Sequence, residues 1–222
     1  MKRIILTFLL AFFVNAYGQN IFSKVRFGLT AGVNRSGVGS AHRPSGPRYS
    51  FQAGAFALVP LGQSSNFFLQ PELLFHGAGE TGRDKDFKDA NINTNGYNAL
   101  YANNYISVPV YLKIYFLNAP SRFFAMVGPR FNFLISQNVK NVPVGRPYYD
   151  PNYSGTSPYN GKASSFNFAI GLGIGYSFRK DWEIILKHDI GITNTYKGLM
   201  KELSPRNKSE QVISLGANYI FK

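Results

Sequence analysis

Cysteine is absent from the 222 residues. That excludes a disulfide framework, thiolate metal sites, nucleophilic thiols and a lipidated Cys behind a leader. Histidine is nearly absent. The three copies, His42, His76 and His188, lie far apart, and none has the spacing of a metal-ligand pair. Beyond the N-terminus no run of about 20 apolar residues occurs, which excludes a transmembrane helix there. Amphipathic helical periodicity of useful length is missing as well. Acidic residues are scarce, 11 against 24 Lys and Arg, for a formal charge of +13. The basic residues are scattered rather than gathered on one stripe, so nucleic acid is not an expected partner.

The N-terminus has its own character. Lys2 and Arg3 precede an apolar run from Ile4 to Val14, and Ala16 and Gly18 supply small residues at an expected cleavage point. This reads as a signal peptide over 1–18, with one domain over 19–222. Export also argues against nucleic acid.

What fills the chain is alternation. In NYISVPVYLKIYF (104–116), Ile106, Val108, Val110, Leu112, Ile114 and Phe116 share one face. Tyr105, Ser107, Pro109, Tyr111, Lys113 and Tyr115 share the other. Period two is the signature of a strand. The same pattern recurs in 25–33, 49–59, 66–76, 122–135, 164–178, 182–192 and 210–221. Eight strands are expected, each near the roughly 9–11 residues that a tilted membrane-crossing strand needs. A mean hydropathy of −0.13 is compatible with this, because alternating strands average out.

The connections decide between a soluble and a membrane sheet. Those at 60–65, 118–121 and 179–181 are short, whereas 34–48, 77–103, 136–163 and 193–209 are long and polar. Strict alternation of short and long is how outer-membrane barrels are built, with short turns in the periplasm and long loops outside. The expected fold is an all-β, eight-stranded, antiparallel up-and-down transmembrane barrel in the outer membrane, both termini periplasmic. A lipocalin-like barrel or a sandwich is the soluble alternative. Aromatic residues at strand ends, Tyr105 and Tyr115 among them, are expected to form two interfacial girdles.

Inside a barrel this narrow, side chains fill the lumen. Parity places Arg26, Glu72, Lys113, Arg130, Glu183, Lys187 and Asp189 there, and their mixed signs predict a plug of ion pairs. A small gated channel or transporter is the alternative use of the same residues. Pro109 costs one ladder bond, which a bulge could ease. His188 falls on the lipid face by parity, where a polar group is costly, unless a bulge turns it inward. Arg35, Arg43 and Arg48 in the first loop and Lys197, Lys201, Arg206 and Lys208 in the fourth are candidate contacts for lipopolysaccharide phosphate. The third loop, NVPVGRPYYDPNYSGTSPYNG, suits either recognition or turn formation. His76, expected near the outer rim, is the best candidate for a rim enzyme acting on lipid or peptide. No motif supports catalysis, and no cofactor or metal is expected.

FGLTAGVN, YISVPVYLKIYF, FFAMVGPRFNFLI, FAIGLGIGYSF, DIGITN and the terminal YIFK together resemble the PorT-like outer-membrane barrels of Bacteroidota. The resemblance covers nearly all of the chain after the leader, and its motifs are signatures of fold. It implies a Gram-negative cell-envelope protein with a structural or interaction role, surrounded by outer-membrane lipid and lipopolysaccharide. It also implies an envelope protein partner, since the founding member is associated with type IX secretion and gliding. Phe221 looks like the last-strand signal read by the barrel-assembly machinery, although Lys222 follows it.

Overall fold

The structure, a computed structural model, describes residues 24–39, 45–62, 66–88, 95–140, 162–196 and 209–221. The leader, the third loop and His42 lie outside the described residues. Eight antiparallel strands close into a barrel in sequence order. They are β1 (Arg26–Val38), β2 (Ser45–Pro60), β3 (Phe67–Lys88), β4 (Asn95–Tyr115), β5 (Arg122–Lys140), β6 (Phe166–Phe178), β7 (Trp182–Gly191) and β8 (Glu210–Ile220). β1 pairs with β8 from Gly28↔Ile220 to Val38↔Glu210, so the sheet has no free edge within the barrel wall. Closure is obligatory for a sheet in hydrocarbon, where an unpaired N–H or C=O has no water to bind.

The burial pattern is inside out. Phe27, Leu29, Phe51, Leu73, Ile174, Ile184 and Leu215 are among the large apolar side chains exposed on the outer wall. Glu72, Lys113, Arg130, Glu183, Lys187 and Asp189 are buried within. A soluble β-protein needs the reverse, so the outer wall is a lipid face.

Register fixes the barrel's dimensions. A hydrogen-bonded row starts at Tyr49 on β2 and passes through Arg35, Ile213, His188, Leu172, Val127, Leu112 and Leu69. It returns to β2 at Val59, ten residues further along. With a rise of ~3.3 Å per residue and a tilt of about 40°, that shear spans roughly 25 Å along the axis, the height of an apolar band. Aromatic pairs mark both ends of it. Trp182–Tyr219 (4.7 Å) and Phe123–Tyr176 (4.8 Å) lie at the short-turn end, Phe133–Phe166 (5.4 Å) and Phe51–Phe75 (5.3 Å) towards the other. Tyr105 and Tyr115, expected in these girdles, instead point into the lumen, buried completely or nearly so. Their odd numbers share parity with Lys113, and parity prevails.

The strands outrun the loops expected of them. Much of 34–48 and 77–103 is strand, and β3 and β4 pair out to Lys88↔Asn95. β4 and β5 pair out to Leu100↔Lys140. Two features mark where this extension leaves the wall. Asn104 and Tyr105 are consecutive on β4, but they pair with Ser136 and Leu134, leaving Ile135 as a bulge in β5. Gly79 on β3 has φ +119°, and a Cβ there would sit 2.1 Å from the Tyr101 carbonyl oxygen, so only glycine fits. Pro109 needs no bulge. The β3–β4 ladder skips the positions opposite it without changing register, and β5 faces it directly through Arg130.

Leu215 faces lipid near mid-height and is 54% exposed. Leu215→Arg is expected to destabilise the barrel by about 2–4 kcal/mol, read from denaturant unfolding in lipid vesicles.

Candidate functional site

Because even-numbered residues of β3 and odd-numbered residues of β4 and β7 face inward, charges from three strands meet on the axis. Lys113 Nζ lies 2.6 Å from Glu183 Oε2 and donates to Gln70 Oε1 at 3.0 Å. Gln70 Nε2 donates to Glu72 Oε1 at 2.7 Å, and Lys187 Nζ donates to Glu72 Oε2 at 3.1 Å. Glu183 also accepts from Asn218 Nδ2 at 2.9 Å and from the Tyr115 hydroxyl. Lys113 rests on the Phe124 ring, 4.0 Å from its centroid. All these groups are at most 3% exposed.

A second cluster lies above the first. Arg130 pairs with Asp189 and donates through Nε to Asn132 Oδ1 at 3.1 Å. Ser107 Oγ donates to the same Asn132 oxygen at 2.6 Å, and the Tyr111 hydroxyl reaches Asp189 Oδ1 at 3.4 Å. Lys187 over the Tyr111 ring, 5.5 Å from its centroid, ties the two clusters together. The cavity beside Arg130 and Asp189 has a volume of about 10 Å3, room for one water. Each carboxylate meets a cation or several donors, and this compensation is what permits charge in so dry a place.

Six of the seven residues expected in the plug are brought together this way. Arg26 is not. It sits at the short-turn end, partly exposed, and its Nη1 donates to the Lys180 carbonyl at 3.3 Å. Arg26 is the first residue of β1 and therefore lies below the plug.

A third cluster, towards the long-loop end, was not anticipated from the sequence. His76 is buried in the lumen, not solvated at a rim, with the Asn34 amide nitrogen 3.2 Å from its Nδ1. Glu80 and Glu210 are buried nearby. Arg48, expected to reach outward from a loop, turns inward. Its guanidinium donates to the carbonyls of Ala78 and of Asn103, the latter at 3.0 Å. β2 begins at Ser45, so Arg48 inherits the inward parity of Ser50 and Gln52. Glu80 and Glu210 could have been found by the same count, from His76 and Ser214. Above them Ala163 and Tyr196 form an isolated bridge, both buried, with Tyr196 6.1 Å from the Tyr101 ring.

Arg35 lies on β1 facing outward, exposed. Arg43, Lys197, Lys201, Arg206 and Lys208 lie outside the described residues. β7 runs without a bulge, so His188 stays on the outer face, its Nε2 3.2 Å from Gln211 Oε1.

The model of the outer membrane protein beta-barrel domain matches residues 16–197. The chain belongs to this family. It is thus an outer-membrane protein, with the short turns periplasmic and the long strand extensions outside. Three such barrels are among the solved structures to which it is similar. The Ail attachment invasion locus protein of Yersinia pestis has 10% identity over 88% of this chain and 98% of that one, TM-score 0.41. The outer membrane enzyme PagL has 13% over 86% and 98%, TM-score 0.45. OprG from Pseudomonas aeruginosa has 10% over 89% and 94%, TM-score 0.42. At that identity no activity is carried across. No curated protein matches the sequence.

Lys113→Met leaves Glu183 buried without its cation and is expected to cost about 3–5 kcal/mol. Lys113→Met combined with Glu183→Leu should recover most of that loss, because a neutral pair needs no compensation. Unfolding of both variants in vesicles checks this.

Proposed function

We propose that the chain is a non-enzymatic, sealed outer-membrane barrel that works through the surface it holds outside the membrane. In this reading it is an accessory subunit of an envelope or secretion complex, as the PorT resemblance suggests. The observation that carries the reading is the filled lumen. Two ion-paired clusters occupy the axis, and the cavity beside Arg130 and Asp189 holds about 10 Å3. Transport through such an interior would require breaking buried pairs at several kcal/mol each. What remains for interaction is the sheet that β3, β4 and β5 raise above the apolar band, to Lys88↔Asn95 and Leu100↔Lys140.

The rim-enzyme alternative loses its main candidate residue. His76 is buried and engaged by an amide, so it has neither access to substrate nor the carboxylate that usually orients a general base. The small-channel alternative uses the same lumen residues and makes the opposite electrical prediction.

Purified protein in planar bilayers is expected to give no discrete conductance steps, and stepwise currents that change in Glu72→Gln would establish a channel instead. Cross-linking in native outer membranes, followed by mass spectrometry, is expected to recover one stoichiometric protein partner joined near Lys140. Recovery of a lone monomer would contradict the accessory role.

A further inference from the structure

The lipid face of β7, β8, β1 and β2 is apolar from the periplasmic girdle upward, until its outer part. From there the row Tyr49, Arg35, Ile213 and His188 crosses four neighbouring strands, descending into the band by about 3 Å per strand as the shear requires. Arg35 and His188 are exposed on it, and His188 holds the Gln211 side chain at 3.2 Å. Among the described residues, no Asp or Glu faces outward on any of these four strands. Every carboxylate on them points into the lumen. Among the described residues of these strands, the guanidinium of Arg35 therefore has no counter-ion on its own face.

By its place in the row, Arg35 lies near the outer edge of the apolar band, just inside Tyr49. Its stem can run along the apolar surface while its head reaches the interface. A cation at that depth draws its anion from the membrane. We propose that Arg35, with the His188–Gln211 pair, binds the phosphate of an outer-leaflet lipid. The backbones of β1 and β7 are about 10 Å apart across β8, a span that one phosphate and the two flanking side chains fill. Arginine's planar fork grips phosphate in a bidentate fashion. With the Gln211 carbonyl oxygen turned to His188, its amide nitrogen is free to donate to the same anion. Val33 and Ala31 continue the lipid face towards the periplasm and give the acyl chains an apolar bed.

The test is native mass spectrometry of the whole barrel in detergent, titrated with monophosphoryl lipid A, phosphatidylcholine or inorganic phosphate. Monophosphoryl lipid A should bind to the wild-type protein at least about tenfold more tightly than to Arg35→Gln. Lys140→Gln, which removes an exposed charge from β5 outside this patch, should bind like wild type. Arg35→Lys should retain part of the affinity. Resistance to unfolding on an unheated gel verifies that each variant is folded. Equal binding by wild type and Arg35→Gln overturns the proposal, as does an equal loss in Lys140→Gln. Binding of inorganic phosphate as tight as that of the lipid would make this a free-phosphate site and overturn its assignment to lipid. A wild-type dimer that Arg35→Gln converts to monomer would make the patch a protein interface, again overturning it.

Discussion

The ladder between β1 and β8 is the contact on which everything else depends. A polar backbone in hydrocarbon must pair every donor and acceptor within the protein, and a sheet can do that only by closing on itself. Closure with eight strands and a shear of ten residues sets the radius, and the radius sets what the interior can hold. It is wide enough for side chains and too narrow for a water-filled pore. The inverted distribution of residues follows, with lipid against Leu29, Ile174 and Leu215, and charge enclosed.

Enclosed charge is tolerable only when compensated, and the barrel meets this demand strand against strand. Lys113 from β4 meets Glu183 from β7; Arg130 from β5 meets Asp189 from β7; Lys187 from β7 meets Glu72 from β3. Each pair joins strands that do not neighbour one another in the wall. The pairs thus act as cross-braces through the lumen, and a register slip on any of these four strands would strip a buried charge of its partner. On the outer face Arg35 has no such partner among the described residues of β7, β8, β1 and β2.

Much of this was legible from sequence because a membrane barrel must alternate in every strand. Strand number, the short–long order of connections and the inward set at Glu72, Lys113, Arg130, Glu183, Lys187 and Asp189 follow from period two alone. The reading failed where lipid no longer enforces the pattern. Beyond the apolar band polar residues occupy both parities of β3 and β4, and 77–103 looks like a loop although much of it is paired strand. Arg48 looks like a loop residue because the apolar alternation begins only at Tyr49, whereas β2 begins at Ser45. Arg26 has the right parity but the wrong height, and height depends on shear, which no single strand encodes. The specific pairing of cations with acids depends on shear too.

The absence of cysteine makes the sealed interior directly measurable. A single Cys in place of Ser107, buried between the two main clusters' strands, can be challenged with a membrane-impermeant maleimide in intact cells and in opened outer membranes. Cys substitutions at Lys140, outside, and at Lys180, in the periplasmic turn, serve as references. The account predicts that Lys140→Cys reacts in intact cells and Lys180→Cys only after opening, while Ser107→Cys resists reagent from both sides. Prompt labelling of Ser107→Cys from either side would show a water-filled path through the barrel and contradict the sealed lumen.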